Sequence, residues 1–372
     1  MEHTFESYVK KYLQDKYGEL ADEIYSFSYL LQYIVYKTKS ANKGAKARGS
    51  FANLYAIYVI VEDYLVNEFD KKGNYSEYEG AQFSYLFKRQ RELPFGAKLQ
   101  NHALNSRMNE EFFKFFPTKI GTPPIMRNLE TQRYWINENY LIFNWGKKHI
   151  NIAKDVISII DAYVAIKQNT FKQFIEQCVA LQKIENGTAG QILDFIMSLL
   201  APNVDARLFE IVSYSILKYY YKDITIYWGY SQGNMHEDYL HLYKTGRTNA
   251  NDGGIDFVMK PLGRFFQVTE TIDFKKYFLD IDKIEKYPIS FVIKTDESRD
   301  TILNRLKADA RKTYVVTKVV DDYMACIEEI INIPVLRGYL EKLKQKNMVS
   351  DVLSEIVLQS RVEFNFNEYD MD

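Results

Sequence analysis

Between residues 205 and 295 the hydrophobic pattern switches repeatedly between helical and strand spacing, and this alternation restricts the possible folds more than any other feature of the chain. The stretch DARLFEIVSYSILKYYY (205–221) carries apolar residues at helical spacing, behind Asp205 or Asn203 as a cap. DITIYWGY (223–230) reads as a strand. A hairpin follows with arms over 254–260 and 264–271, then a helix over 273–286 and a short apolar strand, YPISFVIKT, over 287–295. Further on, the pattern predicts a helix over 298–310, a strand TYVVTKVV over 313–320, and C-terminal helices. Helix, three strands, helix and strand suit a central mixed sheet flanked by helices, an α+β or α/β architecture.

The first half reads differently. Residues 4–36 place Tyr8, Tyr12, Leu20, Ile24, Leu30, Leu31 and Ile34 at helical spacing; 50–68 form a second such segment with Ser50 as its cap, and 152–182 a third. Between them, 85–145 is rich in Arg, Asn and aromatic residues and punctuated by Pro94, Gly96, Pro117, Gly121, Pro123 and Pro124, a loop-rich composition. Turn-rich stretches at 185–190 and 201–203 mark a boundary, dividing a helical region at 1–195 from an α/β region at 196–372.

The 372 residues suffice for one large domain or two ordinary ones, and 47% hydrophobic with 15% aromatic content is that of a globular chain. A net charge of −1 does not announce a nucleic-acid binder, so local charge has to carry that reading. Cys178 and Cys326 are far apart and without metal spacing, which argues against a zinc or disulfide scaffold. The opening MEHTFESYVKKY lacks an apolar signal core and no stretch approaches the roughly 18 apolar residues of a membrane span, so a cytoplasmic location is expected. The acids Glu363, Glu368, Asp370 and Asp372 read as a solvated tail.

The hairpin carries the chemistry. If Lys260-Pro261-Leu262-Gly263 is a type I turn, with Pro second and Gly fourth, Asp256 faces Gln267 across the strands. Opposed side chains stand about 4.5–5.5 Å apart on one face. Thr269 shares that face and Glu270 points the other way. An acid, an amide oxygen and the carbonyl of residue 268 at one point are what Mg²⁺ takes, along with water and phosphate. The glycines before Asp256 let a phosphate backbone approach. A metal role for His236 or His241, in the loop before the hairpin, is the weaker reading.

Gly253-Gly254-Ile255-Asp256 followed by Gln267-Val268-Thr269 resembles the active-site signature of the PD-(D/E)XK restriction-endonuclease-like nucleases, most closely the Mrr-like branch with G-G-I-D and Q-x-K. The helix motif Leu208-Phe209-Glu210-Ile211-Val212 is similar to the one that supplies that family's third acid, which makes Glu210 the matching residue. The resemblance spans about 90 residues of the chain and implies a restriction-endonuclease-like mixed sheet core. It implies Mg²⁺ held by Asp256, Gln267 and Glu210, hydrolysis of double-stranded DNA in the manner of a type II restriction enzyme, and a homodimer acting on palindromic sites. Thr269 stands where the family has its lysine; Lys260, Lys244 and Lys275 are nearby, with Lys244 preferred, and the alternative is that a second metal ion or Thr269 positions the water. Loss of activity, leaving a DNA-binding protein of a defence system, is a further reading of that departure. No G-x-x-x-x-G-K-[S/T] motif accompanies the signature, which argues against a motor-coupled enzyme.

Ahead of this region, Lys37 to Val61 contains no acid, and Lys43, Lys46 and Arg48 precede a predicted helix N-terminus, a phosphate-binding arrangement. Lys88, Arg89, Arg91, Asn105 and Arg107, then Arg127 and Arg133, interleave basic and amide side chains of the kind that read base edges in the major groove.

Overall fold

A computed structural model describes residues 4–41, 47–97, 99–117, 121–146, 148–183, 188–245 and 255–364. The chain divides into two compact units, Met1–Phe174 and Ile175–Asp372, at a point upstream of the turn-rich stretches.

The first unit is built on helices α1 (Thr4–Tyr17), α2 (Ala21–Phe27), α3 (Tyr29–Ala41), α4 (Ala47–Val66) and α5 (Phe69–Lys72). There follow strand β1 (Ala81–Gln82), α6 (Phe83–Glu92), a π-helical turn at Ala103–Arg107 and α7 (Met108–Phe115). Strands β2 (Ile125–Asn128), β3 (Arg133–Ile136), β4 (Ile142–Trp145) and β5 (Lys148–Asn151) come next, and α8 (Ala153–Gln182) runs across the division. The segment expected to be loops thus holds a small sheet in the order β1-β3-β2 and a β4-β5 hairpin. Its strands are only two to four residues long, too short for a period-two signal to emerge. Ser50 is the fourth residue of α4 rather than its cap, since the helix begins at Ala47.

Much of this unit's core is tyrosine. Tyr33, Tyr55, Tyr64, Tyr134 and Tyr163 are fully buried, each ring contributing a large apolar area. The Tyr55 hydroxyl donates to the Pro94 carbonyl at 2.6 Å and that of Tyr64 to Glu138 Oε1 at 2.5 Å, which offsets the cost of hiding them. Asp155, wholly buried on α8, accepts from Tyr12 at 2.9 Å, Lys16 at 2.5 Å and Tyr17 at 2.6 Å, tying α1 to α8.

The second unit contains α9 (Thr188–Ser198), α10 (Ala206–Tyr221), β6 (Thr225–Gly229), β7 (Met235–Tyr239), β8 (His241–Lys244), β9 (Phe257–Lys260) and β10 (Arg264–Thr269). It continues with α11 (Phe274–Asp282), β11 (Ile289–Ile293), α12 (Arg299–Thr313), α13 (Thr317–Ala325), β12 (Ile327–Asn332), α14 (Ile333–Gln345) and α15 (Val349–Phe364). Of the two cap candidates it is Asp205 that caps α10, accepting the Arg207 N–H at 2.8 Å. A five-stranded sheet runs β12-β11-β10-β9-β8, antiparallel through β8, β9 and β10 and parallel through β10, β11 and β12. The fold is therefore α+β, with a mostly helical first half and a mixed sheet flanked by helices.

Three expectations change. Strand β6 does not join the sheet: a turn closed by Asn234 N–H on Ser231 folds it back onto β7 as a separate, exposed ribbon. The third sheet strand is instead β8, read as loop because its alternation of exposed His241 and Tyr243 with buried Leu242 lasts four residues. TYVVTKVV is not a strand; α12 ends at Thr313 and α13 starts at Thr317, with Val320 buried and Val315 and Val316 exposed. Its β-branched residues suggested a strand, but only one valine meets the core. The strand lies just beyond, in β12, where the consecutive acids Glu328 and Glu329 masked it; both ion-pair with Arg264. Glu363 is buried on α15 rather than solvated, while Glu368, Asp370 and Asp372 lie outside the described residues. No helix among the described residues is long and apolar enough to cross a membrane.

Candidate functional site

The hairpin β9–β10 has the register inferred from its turn, with Met259 opposite Arg264, Val258 opposite Phe265 and Phe257 opposite Phe266. The turn itself is not type I. Its Lys260–Pro261 peptide is cis, Gly263 takes a φ of 67°, and the Gly263 N–H donates to the Met259 carbonyl at 2.9 Å. A four-residue reversal built either way leaves the same residues opposed, so the register survives the change of turn.

The regular ladder ends at Phe257, and the backbone bends at Asp256. The Asp256 N–H donates to Phe266 O at 3.2 Å, one residue out of step. Its carboxylate then takes the place of a backbone carbonyl, Oδ2 accepting the Val268 N–H at 2.7 Å. On the other side the Asp256 carbonyl accepts the Thr245 N–H at 3.0 Å. The acid is therefore held beside the Gln267–Val268 peptide by a bond to the main chain of β10, rather than paired directly opposite Gln267 as the sequence reading expects. Gly253 and Gly254 lie outside the described residues.

Alternation along β10 assigns its side chains to the two faces of the sheet. Phe266 meets Tyr221 of α10, with ring centroids 6.3 Å apart. Gln267 and Thr269 address the opposite face, where the Thr269 hydroxyl accepts from Lys276 Nζ of α11 at 2.8 Å. Gln267 is 6% exposed, and its Oε1 has no hydrogen-bond partner among the described residues. Beside Gln267 on β11 lies Phe291, stacked on Tyr277 of α11 at 4.2 Å. Burial, with Asp280 nearby, pushes the Tyr277 phenol up.

Glu210 and Lys244 form the second polar group, an ion pair at 3.4 Å on the α10 face. Lys244 neighbours Phe257 in the sheet, and both meet Tyr214 of α10: the Phe257 ring at 5.3 Å and Lys244 Nζ at 5.8 Å. Burial, with Glu355 nearby, pushes the Tyr214 phenol up to about 12. The sheet thus brings Asp256 together with the strand of Gln267, and Glu210 together with Lys244, while Gln267 and Glu210 address different faces. Among the described residues no group of three or more His, Cys, Asp or Glu is arranged to hold a metal ion.

Several groups here escaped the sequence reading. Lys276, not Lys275, reaches Thr269; on a helix capped by Asp273 consecutive residues point about 100° apart, and Lys275 is turned to solvent. Lys294, buried where β11 ends, pairs with Glu270 and donates to the Val204 carbonyl at 2.7 Å. A lysine closing an apolar strand was the available signal. His236 and His241 lie on β7 and β8, exposed, with His241 beside Asp238 at 3.9 Å.

In the first unit, Arg89 grips Glu62 through Nε at 2.8 Å and Nη2 at 2.7 Å, and Arg107 pairs with Glu111 at 2.7 Å. Arg91 donates to the Ala97 carbonyl at 2.9 Å and Arg133 to that of Gly80 at 2.7 Å. Arg127 donates to the Asn105 carbonyl at 2.6 Å, and Tyr134 to Asn105 Oδ1 at 3.2 Å, so residues from two of the basic stretches meet. Lys88 is exposed on α6. Arg48 falls in the first turn of α4, and Lys43 and Lys46 lie outside the described residues. Comparison with models of protein families, with curated proteins and with solved structures finds no match in any of the three.

Proposed function

We propose that the chain is a Mg²⁺-dependent endonuclease for double-stranded DNA, similar to type II restriction enzymes, with Asp256 and Gln267 at its catalytic centre. The observation that carries this reading is the buried Oε1 of Gln267, without a hydrogen-bond partner among the described residues, next to the peptide that Asp256 holds. Leaving such an acceptor unsatisfied costs about 1–3 kcal/mol, and a hard cation with oxygen ligands satisfies it. Asp256 and Gln267 would hold the ion, a set of the size Mg²⁺ uses when water and a substrate phosphate complete its sphere. When bound, Mg²⁺ supplies an acidified water and offsets charge on the scissile phosphate. Asp256 contributes the fixed carboxylate, pinned by the Val268 N–H. Glu210, ion-paired with Lys244 on the α10 face, addresses the other face of the sheet from Gln267 and is left out of the ion's ligand set.

Further support comes from the element order once the separate β6–β7 ribbon is set aside: α10, the three antiparallel sheet strands β8, β9 and β10, α11 and the parallel strand β11 follow the order the family resemblance implies. DNA contacts fall to the first unit, through Lys43, Lys46, Arg48, Lys88, Arg91, Asn105, Arg127 and Arg133, with Arg89 and Arg107 anchoring that surface through their acids. The active form is a homodimer, which sets two such centres on the two strands.

A second reading, a nuclease-like protein that binds DNA without cutting it, is favoured by Thr269 in the lysine position. Incubating plasmid with the protein in Mg²⁺ or in EDTA separates the two. Discrete fragments in Mg²⁺ alone support the enzyme; retardation of intact plasmid under both conditions supports the binding protein.

A further inference from the structure

We infer that Lys276 is the ammonium group of this centre, delivered from α11 to the position that Thr269 leaves without a lysine; the assignment rests on the nuclease reading above. Lys276 Nζ donates to Thr269 Oγ1 at 2.8 Å. Thr269 is 1% exposed and shares the face of Gln267, so this hydroxyl fixes the ammonium on the side of the sheet where the unpartnered amide oxygen lies. The helix geometry supports the reach: four residues separate the end of β10 from the start of α11, Asp273 is the cap, and Lys276 in the first turn lies beside buried Tyr277 and reaches Thr269 on the sheet.

Three other lysines serve the centre less well. Lys244 is occupied with Glu210 on the α10 face. Lys294 is buried against Glu270 and Val204. Lys260, at the far end of β9, lies over the Tyr243 ring at 5.4 Å. A cation beside the metal-bound water and the scissile phosphate acts there as an electrostatic stabiliser and as an orienting donor. Removing one such group typically lowers kcat by roughly 100- to 1000-fold.

The test is relocation of the charge. Lys276→Ala is expected to cut plasmid at least about 100-fold more slowly in Mg²⁺, with DNA affinity in Ca²⁺ unchanged. The double variant Thr269→Lys with Lys276→Ala, which restores a lysine to the strand, is expected to regain cleavage. If burying that lysine prevents folding, addition of ethylamine to Lys276→Ala replaces it as the rescue. Full cleavage by Lys276→Ala overturns the assignment alone, as does a loss that neither rescue reverses, which marks Lys276 as a structural residue. A wild-type chain that leaves plasmid intact in Mg²⁺ overturns the nuclease reading and takes this assignment with it.

Discussion

Asp256 and Val268 are joined by a side-chain to main-chain hydrogen bond of 2.7 Å at the point where the β9–β10 ladder stops. A carboxylate in this position replaces a strand carbonyl, and so it is fixed in place before any ligand binds. Such preorganisation is what a metal-holding acid requires.

Asp256→Asn keeps an oxygen for the Val268 N–H and loses the charge, so it is expected to unfold in urea near the wild-type midpoint and to lose Mg²⁺-dependent cleavage. Asp256→Ala loses both and is expected to be destabilised by about 1.5–3 kcal/mol as well. DNA affinity in Ca²⁺ should be unchanged in both. Plasmid cleavage by either variant at the wild-type rate would remove Asp256 from the site.

Arg89 and Lys88 are neighbours in sequence with different roles. Arg89→Glu would set a carboxylate against Glu62 in place of a bidentate ion pair and is expected to lower the melting temperature. Lys88→Glu, on the exposed face of α6, is expected to leave the melting temperature alone. It should weaken DNA binding and reduce the salt-dependence slope by about one. Calorimetry and binding at several salt concentrations check the pair; equal melting temperatures would contradict the structural role of Arg89.

Glu111 gives the first unit an acid-sensitive element. Burial alone would raise its pKa, but hydrogen bonds and charge from Lys37 and Arg107 outweigh this and hold the carboxyl below its usual range. A depressed folded value means stability fully present above the unfolded pKa of about 4.3 and lost as pH falls through the folded one. Glu111→Gln is therefore expected to be less stable at pH 7 by about 1–3 kcal/mol and to show a flatter decline in acid. Parallel acid limbs for the two proteins would refute the assignment.

Lys294 and Glu270 form a largely buried pair behind the ends of β10 and β11. Lys294→Ala strands the acid and is expected to cost about 3 kcal/mol. Lys294→Met combined with Glu270→Gln should cost less than Lys294→Ala alone, because no unpaired charge remains. Urea titrations in which the double variant is the weaker of the two would overturn this account.

Local patterns carried much of this protein. The helices α8 and α10, the cap at Asp205 and the hairpin register were legible because each depends on neighbours in sequence: apolar spacing, a capping oxygen, and the number of residues in a turn. Even with the turn type mistaken, Phe257 stands opposite Phe266 as inferred, since loop length alone decides which residues of the regular ladder oppose. The bend at Asp256 then takes that acid out of the pairing with Gln267. Tertiary structure decided the rest. Whether TIYWG joins the sheet or folds onto MHEDY, and whether Val315 or Ile330 is buried, depends on competition for one core that no single segment can win by propensity. The partners of the charged groups are set the same way. Glu62 and Glu329 claim Arg89 and Arg264 from 27 and 65 residues away. Lys276 rather than Lys275 reaches Thr269 because a helix turns about 100° per residue while packed against a strand. That relation exists only once α11 is docked on the sheet.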